Sequence, residues 1–143
     1  MRVAIYGAGS LGTVLGAYTF DGIGNDNHSF NGTFDGNNKT VSNVVINKNG
    51  QNKVGFFGFV RNGTVRNLIL DRVSITGNNS VGALVGEIVL CSIENSLVMN
   101  SSVTNDGSFI GIICGSYKDM GLTGNHYLNC TSTNTKFSNT STG

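Results

Sequence analysis

Val81-Gly82-Ala83-Leu84-Val85-Gly86 decides the fold, because versions of it stand on either side. Upstream the chain reads Val54-Gly55-Phe56-Phe57-Gly58-Phe59, and downstream Ile110-Gly111-Ile112-Ile113-Cys114-Gly115. The leading glycines are 27 and 29 residues apart. A near-constant period in the twenties marks a stack of like units, each burying its apolar face against the next. The pattern predicts that Val54, Phe56, Val81, Leu84, Ile110 and Ile113 are mostly buried. It also predicts that Gly55, Gly82 and Gly111 superimpose along the stacking axis.

Moving outward, a second set of landmarks shares the period. With Asn43, Asn67, Asn95 and Asn129 taken as equivalent, the intervals are 24, 28 and 34. Val41, Val65 and Ile93 then stand two before the Asn, and Val45, Ile69 and Leu97 two after it. Ile75, Val103 and Phe137 stand eight after their own Asn, and a loop around residues 116–124 accounts for the longest interval. Inward apolar residues alternate with outward polar ones, as in Leu70-Asp71-Arg72-Val73-Ser74-Ile75-Thr76. Glycine is expected to supply positive φ at the corners. Asparagine tolerates the same backbone and can bond to its copy one coil away, so the four asparagines are expected to form one ladder.

Composition agrees. The 143 residues are enough for a single domain with one continuous core. Short runs of Val, Ile, Leu and Phe lie between Gly, Asn, Ser and Thr, and there is no proline or tryptophan, which points to many short strands. Charged residues make up only 12% and balance to +1, leaving no electrostatic footprint for nucleic acid or an anionic membrane. No apolar run reaches the eighteen or so residues of a spanning helix. Cys91, Cys114 and Cys130 show no metal-ligand spacing. They read as small buried core residues, with a Cys91–Cys114 disulfide as the alternative.

Residues 1–18 differ from the rest. Arg2-Val3-Ala4-Ile5-Tyr6 is a strand candidate, Gly7-Ala8-Gly9-Ser10-Leu11-Gly12 spells G-x-G-x-x-G, and Thr13-Val14-Leu15-Gly16-Ala17-Tyr18 has the pattern of a helix start. The stretch resembles the N-terminus of ketopantoate reductases. That resemblance implies NADP held through Gly7, Gly9 and Gly12, with pyrophosphate at a helix N-terminus. Asp35 lies at about the distance of the ribose-binding acid. Against it, Asp21-Gly22 follows almost at once, and no strands alternate with helices later. A signal peptide is a further reading: Arg2 as the charged flank, residues 3–15 as the apolar region, Gly16-Ala17 before a cut. Its glycines and Ser10 interrupt that apolar region, and Leu15 is too large for the site. The remaining reading is a leader that covers the open end of the stack near Phe30 and Phe34.

From Thr19 the chain resembles GLUG-motif proteins over residues 19–139. The resemblance rests on Phe30-Asn31-Gly32-Thr33-Phe34-Asp35-Gly36-Asn37-Asn38-Lys39-Thr40-Val41, on Asn43-Val44-Val45-Ile46, and on the elements at 81–86 and 110–115, with 54–58 a looser copy. It implies a right-handed parallel β-helix from a bacterial surface or secreted protein, in which the repeats are not the catalytic part.

Candidate chemistry is sparse. Asp35, Asp71, Glu87, Glu94, Asp106 and Asp119 do not fall at equivalent positions of adjacent coils, whereas acid/base chemistry needs two groups converging on one substrate. His28 and His126 lack an acid partner in any recognisable motif and read as surface turn residues. Asp21-Gly22-Ile23-Gly24-Asn25-Asp26-Asn27-His28 is a single degraded copy of a calcium-binding nonapeptide and reads as a turn. Asn27, Asn31, Asn38, Asn62, Asn78, Asn100, Asn129 and Asn139 begin N-x-S/T triplets, glycan acceptors only in a pathway that uses them.

The sequence therefore predicts an all-β chain: a right-handed parallel β-helix of about four coils over 19–143, with a strand-turn-helix leader over 1–18. The expected function is structural presentation or adhesion at the cell surface or outside it, with no catalytic residues, metal or favoured cofactor, possible partners being a protein or glycan ligand and further repeats of a longer chain. The alternative is an NADP-binding fragment using Gly7, Gly9 and Gly12.

Overall fold

Left-handed backbone turns this chain, and asparagine supplies most of it. In a computed structural model, which describes residues 3–7, 10–14, 20–118 and 125–141, the non-glycine residues with positive φ fall almost entirely into four columns. One holds Asn38, Asn67, Asn95 and Asn129; the next, five residues on, holds Asn43, Arg72, Asn100 and Asn134. Lys53, Ser80 and Phe109 make the third, Asn62 and Leu90 the fourth. Asparagine enters this region at little cost because its short polar side chain bonds locally.

Between the corners lie seventeen strands, with no helix among the described residues. From Thr33–Ser42 onward all strand pairing is parallel. One sheet pairs Thr33–Ser42 with Thr64–Asp71, which in turn pairs with both Ser92–Glu94 and Leu97–Met99. A second stacks Val45–Asn47, Ser74–Gly77, Ser102–Asn105 and Lys136–Asn139 in order. A third stacks Phe57–Arg61, Val85–Val89 and Cys114–Lys118, and Val81–Gly82 pairs with Ile110–Gly111. Side chains thus stand in files: Val65 lies between Phe34 and Ile93, and Ile75 between Ile46 and Val103. Val65, Ile93, Ile46, Ile75 and Val103 are essentially buried, each worth roughly 1.5–3 kcal/mol.

The register corrects two expectations. Asn67, Asn95 and Asn129 share a corner, but Asn43 does not join them: Val41 pairs with Leu70 and Val45 with Ser74, which sets Asn43 opposite Arg72. Asn38 takes the first position instead, displaced by a bulge between Asp35 and Lys39. Val45 consequently faces outward and is 55% exposed. The second correction concerns the corners, where asparagine rather than glycine supplies most of the positive φ; the motif glycines do not have it. They are glycine because the backbone folds onto itself: a Cβ on Gly82 would stand 2.2 Å from the Val85 carbonyl oxygen, and one on Gly86 2.6 Å from the Val54 nitrogen. Gly82 and Gly111 are paired, and Gly55 follows through the Val54–Val81 bridge, so the predicted file of glycines is present.

The two ends differ. At the first repeat, Phe20, Phe30, Phe34, Phe56 and Phe57 form a cluster with ring centroids 5.1–5.4 Å apart. Val3–Gly7 pairs antiparallel with Thr33–Ser42 there, and Ser10–Val14 pairs antiparallel with Val3–Gly7. Thr13 and Val14 therefore lie in a strand rather than opening a helix; Arg2, Ala8, Gly9 and residues 15–18 lie outside the described residues. At the last repeat, Ile110 and Ile113 are only partly buried, less than Val54, Phe56, Val81 and Leu84, because no described strand pairs on their far side. Of the loop expected at 116–124, residues 116–118 continue the strand Cys114–Lys118, and 119–124 lie outside the described residues.

Candidate functional site: carboxylates and asparagine corners

The corner asparagines do stack, in several ladders rather than one. Asn129 Nδ2 donates to Asn95 Oδ1 at 3.1 Å, and Asn67 Nδ2 to Asp35 Oδ1 at 3.0 Å. At the next corner Asn134 donates to Asn100 at 2.8 Å, and Asn100 to Asp71 at 2.9 Å. Asn139 donates to Asn105 at 2.9 Å. The residue after a corner closes it: the side chains of Ser96, Ser101 and Thr135 each donate to the carbonyl two residues back, at 2.9, 2.7 and 2.9 Å. Cys91 does the same after Leu90, its Sγ 3.1 Å from the Val89 oxygen. Its burial pushes the thiol pKa up. Cys91, Cys114 and Cys130 are all free of disulfides, so the Cys91–Cys114 bridge is not formed. Cys91 is the corner equivalent of a serine. Of the N-x-S/T asparagines, Asn78, Asn100, Asn129 and Asn139 each donate from the amide to a side chain of a neighbouring repeat.

Asp35, Asp71 and Glu87 are tied to the scaffold. Asp35 and Glu94 flank Arg66 on successive strands, and Asp35 accepts from Arg66 Nε at 3.0 Å. The Asn67 amide, the Asn37 backbone N–H and Arg66 hold its pKa below the usual range. Asp71 is nearly buried and pairs with Arg72 at 2.9 Å. Asp119 lies outside the described residues.

Glu87, one of the scattered carboxylates in the sequence, is brought among charged partners by the fold. It stands where Phe59 and Ser116 stand on the neighbouring strands and is buried at 4% exposure. Its Oε2 accepts from Ser116 Oγ at 3.1 Å, while Oε1 makes no hydrogen bond and lies 3.4 Å from Lys53 Nζ and 3.6 Å from Lys118 Nζ. Lys53 also pairs with Asp26 and sits 4.1 Å from the Phe59 ring centroid. Burial lowers the Lys53 pKa, but the Asp26 hydrogen bond and the charges of Glu87 and Asp26 outweigh it and leave the pKa raised. The available signal was positional: Lys53 precedes Val54-Gly55 as Ser80 precedes Val81-Gly82. A carboxylate facing two ammonium groups and a hydroxyl ties its own strand, Val85–Val89, to Cys114–Lys118 and to the segment that carries Lys53.

The remaining candidates fall apart spatially. His28 lies in a turn where Asn25 Oδ1 accepts the backbone N–H of Asn27 and of His28, both at 2.9 Å, so that oxygen serves the turn. His126 is in the strand His126–Leu128, not in a turn as expected. Gly7 and Gly12 belong to the antiparallel strands at the N-terminus, and Gly9 lies outside the described residues. No helix of the described residues is long and apolar enough to cross a membrane.

No known family profile matches the chain. No solved structure matches it either. Among curated proteins the chain is similar to Halomucin of Haloquadratum walsbyi, with 38% identity over 105 residues. The match covers 72% of this chain and 1% of that relative, so the chain spans about a hundredth of its length.

Proposed function

We propose that the chain is a right-handed parallel β-helix of about four coils, acting as a non-enzymatic repeat module of a surface or secreted protein, of the kind the GLUG resemblance implies. The observation that carries this reading is the file of equivalent residues, with every repeat bonded in parallel to the next and its corners built alike. Units that bond only to neighbours make a rigid spacer whose length grows with their number. Similarity to a protein named as a mucin supports a place at the cell surface or outside the cell. The chain's role there is presentation or adhesion.

Excising one unit tests the architecture. Val73 and Ser101 are equivalent and 28 positions apart. Removing residues 72–99 would join Asp71 to Asn100, a corner asparagine replacing a corner arginine. A stack loses one layer and still unfolds cooperatively at a somewhat lower temperature, whereas a closed globular domain loses its core and does not fold. Protease shaving of intact source cells tests the location, and release of peptides from this chain is the expected result. An NADPH titration tests the competing reading, and no binding is expected.

A further inference from the structure

A groove of about 420 Å³ runs across three repeats beside the second asparagine corner. One wall is Arg72, Asn100 and Asn134; the other is Ser74, Ser102 and Lys136. Successive strands stand about 4.8 Å apart, so each wall presents a hydrogen-bonding group at that interval. The charges are of one sign on the outside. Asp71 turns inward at 10% side-chain exposure, while its partner Arg72 is 62% exposed. Lys136 has no carboxylate partner among the described residues. Both cations depart from their files: the other members are Asn43, Asn100 and Asn134 for Arg72, and Val45, Ser74 and Ser102 for Lys136. The repeat itself therefore requires neither charge.

We infer that this groove binds an acidic polysaccharide, with carboxylate or sulfate groups meeting Arg72 and Lys136 and hydroxyls meeting the amides and serines between them. A linear polymer along the stacking axis meets an equivalent polar position at every repeat, and the guanidinium offers a fork matched to planar carboxylate or to sulfate. The inference deepens the surface-module reading by naming a partner class, and it rests on that reading. Repeat excision tests the architecture without the groove's ligand, so the two can fail separately.

The file members supply the variants. Arg72→Asn and Lys136→Ser install residues already used at equivalent positions, so R72N/K136S keeps its cooperative melting. Binding of polygalacturonate, heparin and neutral dextran is measured by calorimetry at low salt, with R61Q as the control, an exposed cation on another sheet. The expected result is binding of at least one acidic polymer but not dextran, weakened at least tenfold in R72N/K136S, unchanged in R61Q, and reduced by added salt. Binding of no acidic polymer, unchanged binding in R72N/K136S, or equal loss in R61Q overturns the assignment.

Discussion

Ile75 and Phe137 occupy the same file of the same sheet, yet Ile75 is 1% exposed and Phe137 60%. Ile88 and Tyr117 repeat the contrast, at 0% and 67%. These positions have the same orientation and differ in their neighbours: Ile75 and Ile88 are covered by strands on both sides, Phe137 and Tyr117 on one among the described residues. The first repeat, whose sheet edge is paired by Val3–Gly7 and whose core gains a phenylalanine cluster, escapes that fate. Burial here is set by the neighbouring strands, not by the residue. An apolar pattern therefore predicts a core only where a further layer exists to complete it.

The largest effect should come from closing the backbone's tightest approach. Gly82→Val puts a side chain where its first carbon would already lie 2.2 Å from a carbonyl and 2.8 Å from the Gly115 nitrogen. We expect a loss above about 3 kcal/mol or failure to fold, since backbone on both sides cannot yield. Asn79→Ala, which removes amide contacts to Asn52 and the Ser108 N–H, should cost about 1 kcal/mol. Similar melting temperatures for the two would mean that the middle of the stack is not packed as described.

Next, the two ends of one file can be set against each other. Ile75→Ala should cost about 3 kcal/mol, as a truncated core aliphatic with neighbours on both sides. Phe137→Ala, larger in volume removed, should cost less than about 1 kcal/mol because most of that ring already meets solvent. Thermal melts of both decide it. A Phe137 variant as damaging as the Ile75 variant would show that something covers the last repeat in solution.

Much of this was legible in the sequence, and the failures share a cause. The period and the inward file Ile75, Val103 and Phe137 follow from apolar spacing alone. The first repeat was misplaced because each unit has two asparagine-type corners five residues apart, Asn38 and Asn43 in the first, and Val41 and Val45 flank Asn43 as Val65 and Ile69 flank Asn67. A two-residue period cannot distinguish registers that differ by a corner, and the bulge after Asp35 hid the shift. In the motif glycines, close approach of backbone leaves the same mark in sequence as positive φ does. Glu87 was not read as a site because Lys53 and Lys118 approach it through space from distant segments.

That cluster gives the third prediction. Lys53→Met leaves Glu87 with Lys118, whose side chain is 62% exposed, as its remaining cation, and should cost about 2 kcal/mol at neutral pH. The Lys53 pKa is raised in the folded state, so its stabilisation is fully present below the ordinary value of 10.5 and is lost as pH climbs through the folded value. Denaturant melts of wild type and K53M should therefore differ by a constant amount from neutral pH to about 10 and converge above it. A gap that widens at alkaline pH contradicts the ion-pair account. Lys53→Met/Glu87→Leu, which removes both buried charges, should recover much of the loss.

The smallest effect is a gain, and it tests whether the corners are a shared device. Phe109 has φ of 63° in the file of Lys53 and Ser80, and it is 65% exposed. A bulky side chain in the left-handed region carries strain of about 1 kcal/mol, and here little burial offsets it. Phe109→Asn should stabilise by about 0.5–1 kcal/mol, Phe109→Gly by a similar amount less the entropy it adds to the unfolded chain, and Phe109→Val should destabilise. For a chain of this size, that gain raises the melting temperature by about 1–4 °C. The order Asn above Phe above Val follows from backbone conformation alone, because the side chain has little packing to lose. If Phe109→Asn instead lowers the melting temperature, the ring at 109 is packed against something in solution, and the last repeat is better covered than its half-buried isoleucines indicate.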